Sequence, residues 1–114
     1  DRHARENVTT SDDLLRILVS LAERPEFAPV RAAMARSVQS RRLTRLPRSE
    51  LAPDTAHKTG GLIGVCNDMA LVGDGGATIA IAMLCDHEPD TGAVDLAAGR
   101  LARDVWKALR EPGR

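Results

Sequence analysis

Two apolar runs on either side of a glycine-rich turn constrain this fold more than any other feature of the sequence. Residues 65–72 and 77–85 are strand-like, and residues 73–76 read Gly-Asp-Gly-Gly, which supplies the positive φ angles that a hairpin turn needs. The second run is apolar on both faces, with Ile79, Ile81 and Met83 on one and Ala80, Ala82 and Leu84 on the other. Such a strand belongs to a sheet that is covered on both sides.

Three segments have the periodicity of helices. The first begins at Thr10, where a hydroxyl is followed three residues later by Asp13, as in a capping box. Its apolar residues recur at helical spacing up to Arg24. A narrow apolar stripe predicts a second helix over residues 27–39, and apolar residues at intervals of four predict a third over 93–109.

The order of these elements predicts an α/β fold, an αβα sandwich in which an antiparallel sheet has helices on both faces. Residues 1–54 form a helical segment and a loop, residues 55–86 three antiparallel strands, and residues 93–110 the C-terminal helix. The run 77–85 lies at an edge of this sheet, and an apolar edge strand invites pairing with another chain. We therefore expect residues 1–114 to be a single, partial domain.

Composition excludes several classes of function. The chain has 16 Lys+Arg and 16 Asp+Glu, so it lacks the basic excess of a nucleic-acid binder. Phe27 and Trp106 are its only aromatic residues, which argues against a stacking platform for single strands. No apolar run approaches the roughly 18–20 residues that span a bilayer. The partner we expect is a small-molecule substrate, with no nucleic acid and no membrane.

One short segment carries the chemistry. Residues 57–61 read His-Lys-Thr-Gly-Gly on a short predicted strand, and Asn67-Asp68 opens the next strand. Lys58 is one of two lysines in the chain, the other being Lys107. This segment resembles the Lys-Thr-Gly box of the serine β-lactamase and penicillin-binding protein superfamily. The spacing is most similar to that of class A β-lactamases and related serine hydrolases.

The resemblance extends over nearly all of the chain. Val8-Thr9-Thr10 is similar to the segment that follows the family's Ω-loop, and the proline-bearing loop, the hairpin and the closing helix match in order. The family fold joins an α/β half, with a five-stranded antiparallel sheet, to an all-helical half. The resemblance thus implies a C-terminal segment with the last three strands and the final helix. It also implies a secreted or periplasmic protein that needs no metal or organic cofactor.

The same resemblance implies a role for each of four residues. Lys58 would attract the substrate carboxylate and stabilise charge in the site, and Thr59 would donate a hydrogen bond to that carboxylate. Gly60 would let the substrate approach the strand. Gly61 would give its backbone N–H to the oxyanion hole, a donor whose loss typically costs about 10²–10³ in rate. The alternative interpretation is an exposed lysine on a glycine-rich turn.

The family nucleophile is missing from the sequence. No serine of the chain stands in a Ser-x-x-Lys motif, and we interpret Ser11-Asp12-Asp13 as a helix cap rather than as the family's Ser-Asp-Asn. The Ω-loop glutamate is absent too. All three lie upstream in family order, so we expect a complementary N-terminal segment to supply the serine and the 114-residue chain alone to be inactive.

Cys66 occupies the position at which class A enzymes often place an arginine for the substrate carboxylate. That departure keeps other functions open: a penicillin-binding protein or D-alanyl-D-alanine peptidase, an esterase relative, or a non-catalytic binding module of the same fold. Cys66 would stand opposite Cys85 if the turn is Gly75-Gly76, which permits a disulfide, and diagonal to it if the turn is Asp74-Gly75. We expect two free thiols.

The remaining charged residues receive structural interpretations. Arginines near the polar side and end of the second helix are expected to face solvent: Arg31, Arg36, Arg41 and Arg42. His57 is expected to be a strand-face histidine without a catalytic role. His3, His57 and His87 are scattered along the sequence and the two cysteines do not form a CxxC pair, so no metal site is predicted.

Overall fold

The computed structural model describes residues 8–36, 42–45, 54–62 and 64–110. In chain order the elements are α1 (Ser11–Glu23), a 3₁₀ turn (Pro25–Phe27), α2 (Ala28–Ala35), a second 3₁₀ turn (Arg42–Thr44), β1 (Asp54–Leu62), β2 (Val65–Gly73), β3 (Thr78–Met83) and α3 (Thr91–Arg110). The strands form one antiparallel sheet in the order β1-β2-β3. The α/β fold predicted from the sequence is confirmed.

Helices cover both faces of the sheet, as the apolar strand pattern requires. The core on the α3 side consists of Leu43, Ala70, Val72, Ile81, Ala98, Ala102 and Trp106. The core on the α1 and α2 side consists of Leu18, Leu21, Met34, Ala56 and Leu71. Each large apolar side chain buried in this way contributes roughly 1.5–3 kcal/mol relative to exposure. Adjacent residues of β2, such as Leu71 and Val72, serve opposite cores.

The first helix begins where its cap predicts. The Thr10 hydroxyl accepts a hydrogen bond from the Asp13 N–H at 3.1 Å, and Ser11-Asp12-Asp13 forms the first turn, where acids are favoured by the helix dipole. At the other end, the Arg31 guanidinium donates to the backbone oxygens of Leu21 and Arg24. The expectation that Arg31 simply faces solvent is therefore wrong, because it caps the C-terminus of α1.

The other helix boundaries differ slightly from the sequence pattern. Helix α2 ends at Ala35, and residues 37–39 of the predicted helix lie outside the described residues. Helix α3 begins at Thr91, before the predicted start at residue 93, because the Asp90 carboxylate accepts the Ala93 N–H at 3.0 Å and caps it. None of the helices in the described ranges combines the length and apolarity that crossing a membrane requires.

The turn between β2 and β3 settles the geometry of the two cysteines. Gly73 pairs with Thr78 and the Asp74 N–H donates to the Ala77 oxygen at 3.2 Å, so the turn residues are Gly75-Gly76. Gly75 has φ 88°, the left-handed conformation that favours glycine. The same register continues to Cys66, whose N–H donates to the Cys85 oxygen at 2.8 Å. Both cysteines are free thiols, as expected.

Candidate functional site

The Lys-Thr-Gly segment lies on β1, an edge strand of the described sheet. Lys58 pairs with Met69, Thr59 with Asp68 and Gly60 with Asn67. Because side chains alternate along a strand, Lys58 lies on the α1 and α2 face of the sheet and Thr59 on the α3 face. The Lys58 side chain is exposed, whereas Thr59 is half-buried.

The Gly61 N–H points away from β2, toward the open edge of the sheet. In an antiparallel ladder the backbone groups of successive residues point alternately to the two neighbouring strands. The Cys66 N–H points to β3, because it donates to the Cys85 oxygen. The backbone N–H and C=O of Asn67 therefore point to β1, and those of its pairing partner Gly60 point back to β2. The backbone groups of the next residue, Gly61, point outward.

The same outer edge gathers the other polar groups of the segment. The Lys58 ammonium donates a hydrogen bond to the backbone oxygen of Thr59. By the same alternation, the backbone groups of Thr59 point outward, as those of Gly61 do. The Lys58 ammonium, held at the Thr59 oxygen, and the Gly61 N–H therefore both lie along the open edge of β1. All four residues singled out from the sequence share this strand edge, although the Lys58 and Thr59 side chains start from opposite faces.

Arg42 is the residue that the sequence reasoning missed. It was expected to face solvent, yet it is only 6% exposed. Its Nη1 donates to the backbone oxygen of Gly60 at 3.1 Å and to that of Asn67 at 2.7 Å, and its Nε lies 3.3 Å from the Asp95 carboxylate on α3. The expectation is wrong because the turn Arg42–Thr44 crosses the α3 side of the β1–β2 hairpin and carries the guanidinium inward.

A second buried polar cluster holds the base of the hairpin. The His57 Nδ1 lies 3.3 Å from one Asp68 oxygen, and the other Asp68 oxygen accepts the Leu43 N–H at 3.1 Å. The Thr44 hydroxyl lies 3.3 Å from the His57 Nε2. His57 and Asp68 are both almost fully buried. This cluster ties the 3₁₀ turn to β1 and β2 on the α3 face, behind the open edge.

A cleft of about 590 Å³ adjoins Gly61 on the α3 side. Arg42, Gly64, Glu88, Thr91 and Asp95 are among the residues that line it. In the ranges that the structure describes, no three His, Cys, Asp or Glu side chains cluster as a metal site would require. The arrangement can bind an anionic group and hydrogen-bond a carbonyl oxygen at the β1 edge.

Comparison with protein families identifies a match over most of the chain. Residues 1–109 match the model of a family described as the Beta-lactamase enzyme family. The match includes every described strand, both N-terminal helices and all but the last residue of α3. Comparison with curated proteins and with solved structures found no match.

Proposed function

The chain belongs to the beta-lactamase enzyme family, and from that membership we propose that it is the C-terminal segment of a class A β-lactamase-like serine hydrolase. Family membership supports a β-lactamase-like hydrolase. The observation that carries the more specific proposal is the outer edge of β1, where the Lys58 ammonium and the outward Gly61 N–H lie on the same open strand.

The proposed reaction proceeds through an acyl-serine. A serine from an N-terminal segment attacks the substrate carbonyl carbon and loses its proton to a base of that segment. The resulting oxyanion accepts a hydrogen bond from the Gly61 N–H. Collapse of the tetrahedral intermediate breaks the acyl C–N bond, and the leaving nitrogen takes the proton that the base removed from the serine. Water then attacks the acyl-serine carbonyl, which releases the acid and regenerates the serine. No metal or organic cofactor takes part.

Lys58 and Thr59 bind the substrate in this proposal. An exposed ammonium on a short strand is accessible to a substrate carboxylate and attracts it over several ångströms. The Thr59 hydroxyl donates a hydrogen bond to the same carboxylate. Cys66, which is fully buried, supplies no cation at the position where class A enzymes often carry an arginine, so the charge on Lys58 carries more of the recognition.

Gly60 is explained by the substrate rather than by the chain. A Cβ added to Gly60 would meet no described atom closer than 4.0 Å, the Asn67 Cβ. Neither packing nor a positive φ therefore demands glycine at this position. The absence of a side chain keeps the outer strand surface open, which supports the close approach of a substrate backbone.

The proposed complete protein has two further properties. Its N-terminal segment supplies the serine and pairs with the free edge of β3. Its location is secreted or periplasmic, by analogy with the family. A penicillin-binding protein or D-alanyl-D-alanine peptidase is the second candidate, favoured by Cys66 in place of arginine. An esterase relative and a non-catalytic binding module are the remaining alternatives.

Acylation of the complete protein tests the proposal. We expect incubation with a β-lactam or a fluorophosphonate to add one adduct at a serine upstream of residue 1, located by peptide mass spectrometry. Release of the β-lactam adduct within seconds supports a β-lactamase, and release over many minutes supports a peptidase. The 114-residue chain alone is the control and should gain no adduct. A complete protein that gains no adduct would contradict the serine-hydrolase proposal and would support the non-catalytic binding module.

A further inference from the structure

Gly60 and Gly61 share one peptide unit, and the carbonyl of that unit contacts a buried cation. The carbonyl of Gly60 and the N–H of Gly61 belong to the same planar amide and point in opposite directions. The N–H faces the open edge, and the oxygen accepts a hydrogen bond from the Arg42 Nη1 at 3.1 Å. The same nitrogen bonds the Asn67 oxygen of β2 at 2.7 Å, so it joins both strands of the hairpin.

This contact compensates for a weakness of glycine. Two consecutive residues without Cβ have a wide range of accessible backbone conformations, and an edge strand has partners on one side only. An oxyanion donor is effective when its direction is fixed before the reaction. Arg42 fixes the plane of the Gly60–Gly61 amide from behind.

The contact also strengthens the donor. A charged hydrogen bond to an amide oxygen draws electron density from the amide nitrogen, so the N–H becomes a better donor on the other side. The Arg42 side chain is 8% exposed, so water screens its charge weakly. A cation behind the amide therefore increases the positive end of the Gly61 N–H dipole at the site where negative charge develops.

Several features of the chain hold the guanidinium in this place. Arg42 adopts φ 52°, a left-handed conformation that is uncommon for a residue with a Cβ. Asp95 on α3 places a carboxylate 3.3 Å from its Nε, yet neither that Nε nor the Asp95 Oδ1 has a hydrogen-bond partner. A Cβ on Gly61 would lie 3.0 Å from Nη2. The fold thus sets a buried cation against this amide at the expense of backbone strain and incomplete hydrogen bonding.

We propose that Arg42 is a positioning residue of the oxyanion hole: its guanidinium, paired with Asp95, orients and polarises the Gly60–Gly61 amide so that the Gly61 N–H binds the oxyanion. This inference rests on the proposed function for its kinetic consequence. Its structural consequence, a polarised Gly61 amide, does not depend on any activity.

Two measurements on the complete protein test the proposal. In R42M, a flexible apolar chain replaces the guanidinium, and we expect kcat to fall about tenfold, a fraction of the loss that follows removal of the donor itself, while KM stays within about twofold. In protein labelled with [¹⁵N]glycine, we expect the Gly61 amide proton to move upfield in R42M and the Gly75 amide to stay. The control is R36M, because Arg36 is exposed at the end of α2.

The outcomes separate the two proposals. If unmodified protein forms no acyl-serine, the proposed function fails, and the Gly61 amide shift still decides the role of Arg42. A folded R42M protein with an unshifted Gly61 amide, or an active one with unchanged kcat, overturns the positioning role. If R42M does not fold, R42K is used. A lysine cation that reaches one carbonyl should give an intermediate Gly61 amide shift and a partly reduced kcat. An R42K protein whose amide shift and kcat both equal those of the unmodified protein overturns the proposal.

Discussion

The two edges of the sheet differ in what they offer to a partner. The edge of β1 carries an ammonium group, two glycines and an outward N–H, and a charge on an edge strand discourages pairing with another strand. The edge of β3 carries the outward backbone groups of Ala80 and Ala82, within a strand whose residues are apolar apart from Thr78. The first edge suits a small anionic ligand, and the second suits another β-strand.

The layers behind the two edges differ in the same sense. Behind β1 on the α3 side, buried or half-buried polar side chains include two contacting pairs: Arg42 with Asp95, and His57 with Asp68. Behind β3 the residues Ile79, Ile81 and Met83 pack against apolar partners. Buried polar pairs require defined geometry and contribute less net stability than apolar packing does. The polar pairs therefore fix the geometry behind β1, whereas the apolar contacts behind β3 contribute mainly to stability.

The largest effect should follow the loss of charge at the β1 edge. We expect K58A in the complete protein to lower kcat/KM by about 10²-fold or more, because in the proposed complex the ammonium faces charge on the substrate. The free energy of unfolding should change by less than about 0.5 kcal/mol, since the side chain is exposed. The other lysine, Lys107, is exposed on α3, and K107A is the matched control. Equal kcat/KM values for K58A and K107A would show that Lys58 is not part of the site.

The next effect concerns the β3 edge. By the ladder alternation the Ile81 N–H points to β2 and the Ala80 N–H points outward. If an N-terminal strand pairs with β3 in the complete protein, A80P removes one interstrand hydrogen bond and should lower the free energy of unfolding by about 1–3 kcal/mol. I81P removes one as well and also loses the buried Ile81 side chain, so it should cost more than A80P. Chemical denaturation measures both. A nearly neutral A80P beside a destabilised I81P would mean that the outer edge stays open.

The elements that were predicted from sequence are those fixed by local pattern. The strand boundaries near Val65 and Thr78 follow from alternation and glycine turns, and the start of α1 follows from the Thr10 cap. The choice between two hairpin registers depends on how Asp74 bonds the turn, since its carboxylate accepts the Gly76 and Ala77 N–H groups. The sequence pattern permits both registers.

The position of Arg42 had no local signal. Its burial depends on a left-handed backbone at that residue and on Asp95, which comes from the other end of the chain. In a sequence rich in arginine it is one of several near the end of a helix, and the usual place for such a residue is the surface. The physical clue was indirect, since Gly61 and Gly99 leave the space that Arg42 and Arg45 fill.

The smallest effect separates the two glycines of the β1 edge. A Cβ on Gly61 lies 3.0 Å from the Arg42 Nη2, whereas one on Gly60 meets no described atom within 4.0 Å. The guanidinium is held by two carbonyls and a carboxylate and gives way at a cost, so we expect G61A to lower the free energy of unfolding by about 1 kcal/mol. G60A should leave it unchanged or raise it by a few tenths of a kcal/mol, because alanine restricts the unfolded chain.

The effect on KM should have the opposite order, larger in G60A than in G61A. In G60A the added methyl group projects from the strand on the exposed face that Gly60 shares with Lys58, so it obstructs a substrate lying along the edge and should raise KM. In G61A the methyl group lies on the Arg42 side and disturbs the amide from behind, which should lower kcat with little change in KM. Because each variant is the control for the other, a G60A protein with unchanged KM would show that no substrate approaches this strand. A destabilised G60A protein would show instead that the chain itself needs glycine there.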